Sequence, residues 1–277
     1  MSKADKIYKK NAVNILSGYK TENTRAKWED GSPAYTIKQF GVCDTYDLRE
    51  EFPVITLRPT NLKACMDEIL WIYQKKSNNI HDLNSHIWDQ WADETGSIGK
   101  AYGYQIKKEY IHHDSVKMNQ IDAVIYTLKN DPFSRRNIST MYNLEDLHEM
   151  NLYPCAYECI WNVTKEDNEM VLNLNLIQRS NDFLVANNWN VCQYAILLMM
   201  LAQVCNMVPG RLCHMITDCH IYNRHIDLVN ELLKREEYDA PTVKLNPDIK
   251  DFYDFTVDDL IIENYNHHDN FKIPVAI

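Results

Sequence analysis

Apolar residues recur at helical spacing along Leu62, Cys65, Met66, Ile69, Leu70 and Tyr73, which predicts an amphipathic helix with Thr60 placed to cap its start. Glu68 lies at the edge of that stripe. It reads either as a partly buried carboxylate or as a solvated flank, and periodicity alone favours the flank. From Asn190 to Met207 the chain is apolar nearly all round, the pattern of a central buried helix. Before it, Cys155, Tyr157, Cys159, Trp161 and Val163 share one face of a predicted strand, and Met170, Leu172, Leu174 and Leu176 share a face of the next. Arg179 falls on the opposite face of that second strand, with Asn173 and Asn175. A third strand, about Leu212 to Tyr222, puts His214, Asp218, His220 and Tyr222 on one face. That face either lines a site or meets solvent, and the pattern leaves both open. Helices mixed with such strands predict an α+β fold. No repeat, low-complexity tract or Gly/Ser-rich linker divides the chain, so residues 1–277 read as one domain. The longest apolar run, Ala195–Ala202, is too short to cross a bilayer, so no membrane is expected.

Composition narrows the function. A chain of 277 residues, 45% hydrophobic and 25% charged, can bury a substantial core. A formal net charge of −10 argues against an obligate nucleic-acid partner, whose binding needs many phosphates neutralised. An anionic ligand must instead be held by a few placed arginines. Seventeen tyrosines and six tryptophans suit flat ring-shaped ligands, although most such residues pack the core. The N-terminus has no apolar signal segment, which sets an expectation of a reducing, cytoplasmic compartment for the eight cysteines. Cys155 with Cys159, and Cys213/His214 with Cys219/His220, are the only pairs that hint at metal. The five residues between Cys213 and Cys219 exceed the usual two to four of a structural zinc pair, so no metal is expected.

The candidate chemistry gathers in Leu152-Tyr153-Pro154-Cys155 and Gln178-Arg179-Ser180-Asn181-Asp182. Cysteine attacks as the thiolate, which cationic neighbours favour. An arginine fork grips phosphate oxygens through paired hydrogen bonds. Together these residues point to covalent catalysis on a phosphorylated small molecule.

With those residues in view, the chain resembles the folate-dependent thymidylate synthases over almost its whole length. The likeness runs through Glu68-Ile69-Leu70-Trp71, His86-Ile87-Trp88-Asp89-Gln90-Trp91, Gly99-Lys100-Ala101-Tyr102-Gly103 and Ser134-Arg135-Arg136. It continues through Pro154-Cys155, the segment 178–182, Asp218-Cys219-His220-Ile221-Tyr222, Glu263-Asn264-Tyr265-Asn266 and Pro274-Val275-Ala276-Ile277. The resemblance implies a large mixed β-sheet packed by helices, with the sheet forming a homodimer interface. It implies that Cys155 adds to C6 of dUMP, that C5 then takes a methylene group from 5,10-methylenetetrahydrofolate, and that folate hydride completes dTMP. Tyr102 with water would remove the C5 proton, and Glu68 would organise water for proton transfers. Arg25, Arg179 and Ser180 would hold the 5′-phosphate, joined by Arg135 and Arg136 of the partner subunit. Adjacent arginines on one strand point to opposite faces, so irregular backbone or unequal roles are expected there. His220 and Tyr222 would bond the 3′-hydroxyl, and Asn190 would read the pyrimidine edge and favour uracil over cytosine. Trp88, Trp91, Asp182 and Arg58 would contact folate, and Ile277 would close the site. No metal or nicotinamide is implied.

Several positions depart from the family pattern. Ala156 stands where histidine commonly follows the nucleophile, Thr217 where glycine precedes the aspartate, and bulky Tyr153 lies beside Cys155. Val185-Ala186-Asn187-Asn188-Trp189-Asn190 replaces a typical Leu-Gly-(Leu or Asn)-Pro-Phe-Asn. Ala186 near the folate matters most, since a glycine there would allow close approach or unusual backbone angles. These changes leave open a dUMP hydroxymethylase, in which water captures the exocyclic methylene before hydride arrives. Trp88 and the Ile277 terminus argue for a dry site and so for the synthase. A homologue that binds nucleotide or folate without chemistry is a third reading, which the intact set Glu68, Tyr102, Cys155, Arg179, Asp182 and Asn190 disfavours.

Overall fold

A computed structural model describes residues 1–21 and 26–276. Helix α1 (Lys3–Leu16) leads into strands β1 (Tyr19–Thr21) and β2 (Thr36–Asp47). Helix α2 (Leu62–Ile69) continues as a π turn through Gln74. A short helix α3 (Gly103–Lys107), a hairpin of β3 (Glu109–Ile111) and β4 (Lys117–Asn119), helix α4 (Gln120–Asn130) and strand β5 (Ile138–Thr140) come next. Then come β6 (Ala156–Glu166), β7 (Glu169–Asp182), α5 (Asn188–Val204), β8 (Val208–Tyr222), α6 (Ile226–Lys234) and a small hairpin of β9 (Thr242–Leu245) and β10 (Leu260–Glu263). The architecture is α+β, as the pattern predicts.

Six strands form the main sheet in the order β1-β2-β8-β7-β6-β5. Only β7 and β8 run parallel, joined by the crossover helix α5, and every other pairing in the sheet is antiparallel. The parallel pair aligns Ser180 with Asp218 and Asp182 with His220. Both strands therefore deliver polar residues to the same end of the sheet, where such sheets commonly bind ligands.

Helix α5 is buried nearly all round, as its composition predicts, with Val191, Ile196, Leu197, Leu198 and Leu201 inaccessible to solvent. With the preceding π turn it forms a helical run, Phe183–Val204, whose 22 residues are long and apolar enough to cross a membrane. That run is longer than the apolar stretch visible in the sequence, but here it is packed within the fold. Leu197→Ala is expected to cost about 2–5 kcal/mol, because a fully buried leucine leaves a cavity. Urea unfolding with an unchanged slope would measure it.

Two local expectations need correction. Helix α2 is capped by Asn61, whose side chain accepts from the Ala64 N–H at 3.1 Å, and not by Thr60. Thr60 instead donates its hydroxyl to Asn188 Oδ1 at 3.0 Å. In β6 a bulge separates Ala156 from Glu158, pairing them with Gln178 and Ile177. The extra residue shifts the alternation, so Ala156 and not Cys155 keeps phase with buried Cys159, Trp161 and Val163. Cys155 lies just before the strand and half-buried.

Candidate active site

Cys155 enters β6 from the 151–154 connection, and its backbone is tied on both sides. Its N–H donates to the Tyr102 hydroxyl at 3.2 Å, and its carbonyl accepts from the Arg179 N–H at 2.9 Å. The Arg179 side chain then folds back over the turn. Nε donates to the Pro154 carbonyl at 2.9 Å and Nη2 to the Tyr153 carbonyl at 2.7 Å. The same Nη2 lies 3.6 Å from Cys155 Sγ, so a sulfur anion at this position has a cationic N–H to accept from. None of the eight cysteines is in a disulfide. Burial raises the thiol pKa of Cys65, Cys159, Cys192, Cys205 and Cys219, and partial desolvation with the Cys213 contact raises that of exposed Cys43, which favours the protonated thiol at all six.

Tyr102 is held by backbone that glycine makes possible. A Cβ at Gly99 would lie 2.1 Å from the Glu149 carbonyl oxygen, and one at Gly103 would lie 2.1 Å from that of Ser77. Between these close approaches Tyr102 sits at φ 46°, ψ −105°, a conformation non-glycine residues seldom adopt. Its ring meets Trp88 edge-on at 4.9 Å, and Trp88 meets partly buried Trp91 at 5.4 Å. Burial pushes the Tyr102 hydroxyl well above its usual pKa, so it acts as a neutral phenol.

Glu68 is buried, contrary to the solvated flank that periodicity favours. Two indoles explain how a carboxylate survives there. Trp88 Nε1 donates to Oε1 at 2.9 Å, and Trp189 Nε1 donates to Oε2 at 2.8 Å. Burial raises the Glu68 pKa, while hydrogen bonds from Trp189, Trp88 and Gln193 pull it back. In the family pattern Trp189 stands where phenylalanine is typical, a substitution that by itself assigns it no partner. The signal it offered was its indole N–H, three-dimensionally opposite an acid on another helix.

At the end of the parallel pair, His220 Nδ1 bonds Asp218 Oδ1 at 2.9 Å, and Lys38 pairs with the other oxygen at 2.6 Å. Tyr222 packs edge-on against His220 at 5.1 Å. Of the open readings for this strand, His214 belongs to neither: it is fully buried on Gln178. Asp182 caps the following turn through the Val185 N–H at 3.2 Å and lies 3.6 Å from His225 Nδ1. Burial lowers the His225 pKa, but Asp182 and the Pro274 carbonyl outweigh it and leave it raised. Through that carbonyl, 2.7 Å from His225 Nε2, the C-terminal segment docks beside Asp182. Ser180 is half-buried, and its carbonyl accepts from Gln178 Nε2 at 3.0 Å. Asn190, in the first turn of α5, accepts at Oδ1 from Gln178 and Asn181 and donates to Gln193.

Arg58 donates Nη2 to the Leu184 carbonyl at 2.5 Å, while its Nε is buried without a partner. Arg135 and Arg136 stand apart. Both are exposed on irregular backbone before the edge strand β5, as their adjacency predicts, and neither forms an ion pair among the described residues. Arg25 and Ile277 lie outside the described residues.

The departures have local explanations. Ala186 is not among the residues with positive φ, so this backbone does not need glycine. Asn188 has φ −69°, within proline's range, and its side chain makes bonds that proline could not. It accepts from the Ile55 N–H at 3.1 Å and donates to the Pro53 carbonyl at 3.0 Å, pinning the 53–60 segment to α5. Thr217 is an exposed strand residue, and Ala156 is buried. Cys213 sits beside Cys43 with sulfurs 3.5 Å apart, and Cys159 contacts the Tyr73 hydroxyl. The group among the described residues that could gather on an ion is His112, His113 and Asp114, on the β3–β4 connection.

An α+β fold that gathers a cysteine, an arginine and a buried acid around one sheet end has the parts a group-transfer enzyme needs. The family model described as Thymidylate synthase matches residues 6–277. Thymidylate synthase 1 of Bacillus subtilis (strain 168) is 40% identical, and the thymidylate synthase of Bacillus licheniformis is 42% identical, each alignment covering all of both chains. The solved thermostable thymidylate synthase A from Bacillus subtilis superposes with a TM-score of 0.94 at 40% identity, again over all of both chains. The chain belongs to the thymidylate synthase family and is a methyltransferase. The hydroxymethylase reading is not favoured by these relatives.

Proposed function

We propose that the protein converts dUMP to dTMP with 5,10-methylenetetrahydrofolate, through a covalent bond from Cys155 to C6 of the pyrimidine. The observation that carries this is the Cys155 sulfur beside the Arg179 guanidinium at 3.6 Å, with Tyr102 bonded to the same cysteine's backbone. As sulfur adds to C6, the ring's electron pair moves to C5 and makes it a nucleophile. Bound folate supplies the one-carbon unit and the hydride, so the residues need only bind, orient and move protons. The neutral Tyr102 phenol relays the C5 proton through water, and Glu68 anchors the water that serves it. Expulsion of the thiolate returns Cys155 to its starting state.

Arg179 Nη1 and Ser180 grip the 5′-phosphate with Arg25. The exposed Arg135 and Arg136 reach the same phosphate in a second copy, which makes the working unit a homodimer. β2 and β8 expose Phe40 and Met215, and that apolar sheet face suits a partner. His220 and Tyr222 bind the sugar, and Asn190 reads the base. The edge-on Trp88–Trp91 pair and the orphaned Arg58 Nε fit a flat pterin and an acidic tail, with Asp182, Ala186 and the Ile277 carboxylate completing that side. Residues 1–277 act as one catalytic domain in the cytoplasm.

Incubation with dUMP and methylenetetrahydrofolate, followed by mass analysis of the nucleotide, tests the reading. A gained methyl group is expected. A hydroxymethyl product or unchanged dUMP would overturn it.

A further inference from the structure

Beneath the base-reading position lies a chain of side chains whose hydrogen bonds all run one way. Its direction is set by a group that cannot reverse. The Ser180 carbonyl can only accept, and it lies 3.0 Å from one end of the Gln178 amide, so that end is the nitrogen. The same nitrogen reaches Asn190 Oδ1 at 3.1 Å. The Gln178 oxygen therefore turns inward, where His214 Nε2 meets it at 2.7 Å and must carry a proton. His214 is wholly buried, and its Nδ1 has no partner. Burial drives its pKa down to about 3, which leaves a neutral imidazole with its single proton on Nε2.

The chain continues beyond Asn190. Its oxygen also accepts from Asn181 Nδ2 at 3.3 Å, and its nitrogen donates to Gln193 Oε1 at 3.0 Å. Gln193 in turn hydrogen-bonds Glu68, an acceptor when ionised. A backbone carbonyl at one end and a carboxylate at the other thus demand the same polarity. In that polarity the Asn190 oxygen already takes two donors, and one N–H of its nitrogen remains for a ligand. That N–H suits the carbonyl O4 of uracil and opposes the amino group of cytosine.

We propose that His214 is a specificity-determining positioning residue: by donating to Gln178 it holds the Asn190 amide in the orientation that accepts uracil and rejects cytosine. The inference rests on the reading of dUMP as substrate. Without the His214 donor, Gln178 keeps its nitrogen contacts to the Ser180 carbonyl and Asn190 Oδ1, but its buried oxygen is left unpaired. Relieving that oxygen rotates the Gln178 amide off the Ser180 carbonyl and Asn190, so the Asn190 orientation is held only by Gln193 and the longer Asn181 contact.

The test compares wild type, His214→Leu and His214→Gln as full-length enzymes, measuring KM and kcat for dUMP and the inhibition constant of dCMP. In His214→Leu, KM for dUMP is expected to rise about tenfold with kcat changed less, and the preference for dUMP over dCMP to fall by at least tenfold. His214→Gln, which can still donate an amide N–H, is expected to recover most of that preference. A folded His214→Leu enzyme with unchanged base preference overturns the proposal, as does a loss in kcat alone. Nitrogen NMR of wild-type histidines at neutral pH needs no variant: a cationic or Nδ1-protonated His214 also overturns it. If wild type itself fails to convert dUMP, the substrate reading falls; if wild type succeeds and the preference is insensitive to residue 214, only this proposal does.

Discussion

Replacing Cys155 with alanine is expected to lower turnover by on the order of 10⁴-fold or more, because a nucleophile has no substitute in the reaction. Nucleotide binding should change far less. Arg179 is held by the Pro154 and Tyr153 carbonyls independently of the thiol, so the phosphate grip keeps its shape when sulfur is removed. Tyr102 likewise bonds the Cys155 backbone N–H, which alanine retains. Calorimetric titration with dUMP should give an affinity within a few-fold of wild type, beside a rate near background. Substantial residual turnover would show that the covalent route is not used. Serine keeps the shape but ionises far less readily, so Cys155→Ser should fail almost as completely.

The second large effect concerns Glu68. Glu68→Gln is expected to reduce kcat by about 10²-fold or more, the usual weight of a positioned proton-transfer group. The substitution is not sterically demanding, but it is electrically awkward. Each carboxylate oxygen accepts an indole N–H, so the new amide nitrogen must face one of those donors. Trp189→Phe probes the same group more gently. Burial raises the Glu68 pKa and the Trp189 hydrogen bond opposes that rise, so losing the indole lifts the pKa further. If the ionised form is the working one, the acid limb of the kcat/KM profile moves toward higher pH in Trp189→Phe. Asp67 also bears on the carboxylate, and Tyr102 interacts with it electrostatically; neither side chain is altered by this change. An acid limb that stays in place would assign it to another group.

The regular parts of the fold were readable because periodicity reports burial. The α5 run and the Leu172, Leu174, Leu176 face came through because nothing interrupts their repeats. Cys155 was placed on the wrong phase because a bulge at residue 157 leaves no mark on an alternating pattern. Thr60 looked like a cap because hydroxyl residues often are, but Asn61 stands next to the first helical residue and accepts from Ala64, while the Thr60 hydroxyl is engaged by Asn188. Glu68 seemed solvated because periodicity counts neighbours on its own helix, and its two indole partners come from residues 88 and 189. The motif residues around Cys155 and Arg179 do meet in space. The amide chain from His214 to Glu68 was invisible, since its meaning depends on which atoms face which.

The order of strands has a consequence for how the chain comes into being. β2 pairs with β8, joining Thr36 to Tyr222, and β8 alone separates β2 from β7. During synthesis, both β2 and β7 must wait with an open edge until β8 has emerged, and contacts so distant in sequence form slowly. Waiting edges invite pairing with other chains. Fragments ending before Val208 are therefore expected to aggregate, and the yield of native protein should depend on how quickly the last quarter of the chain follows the rest.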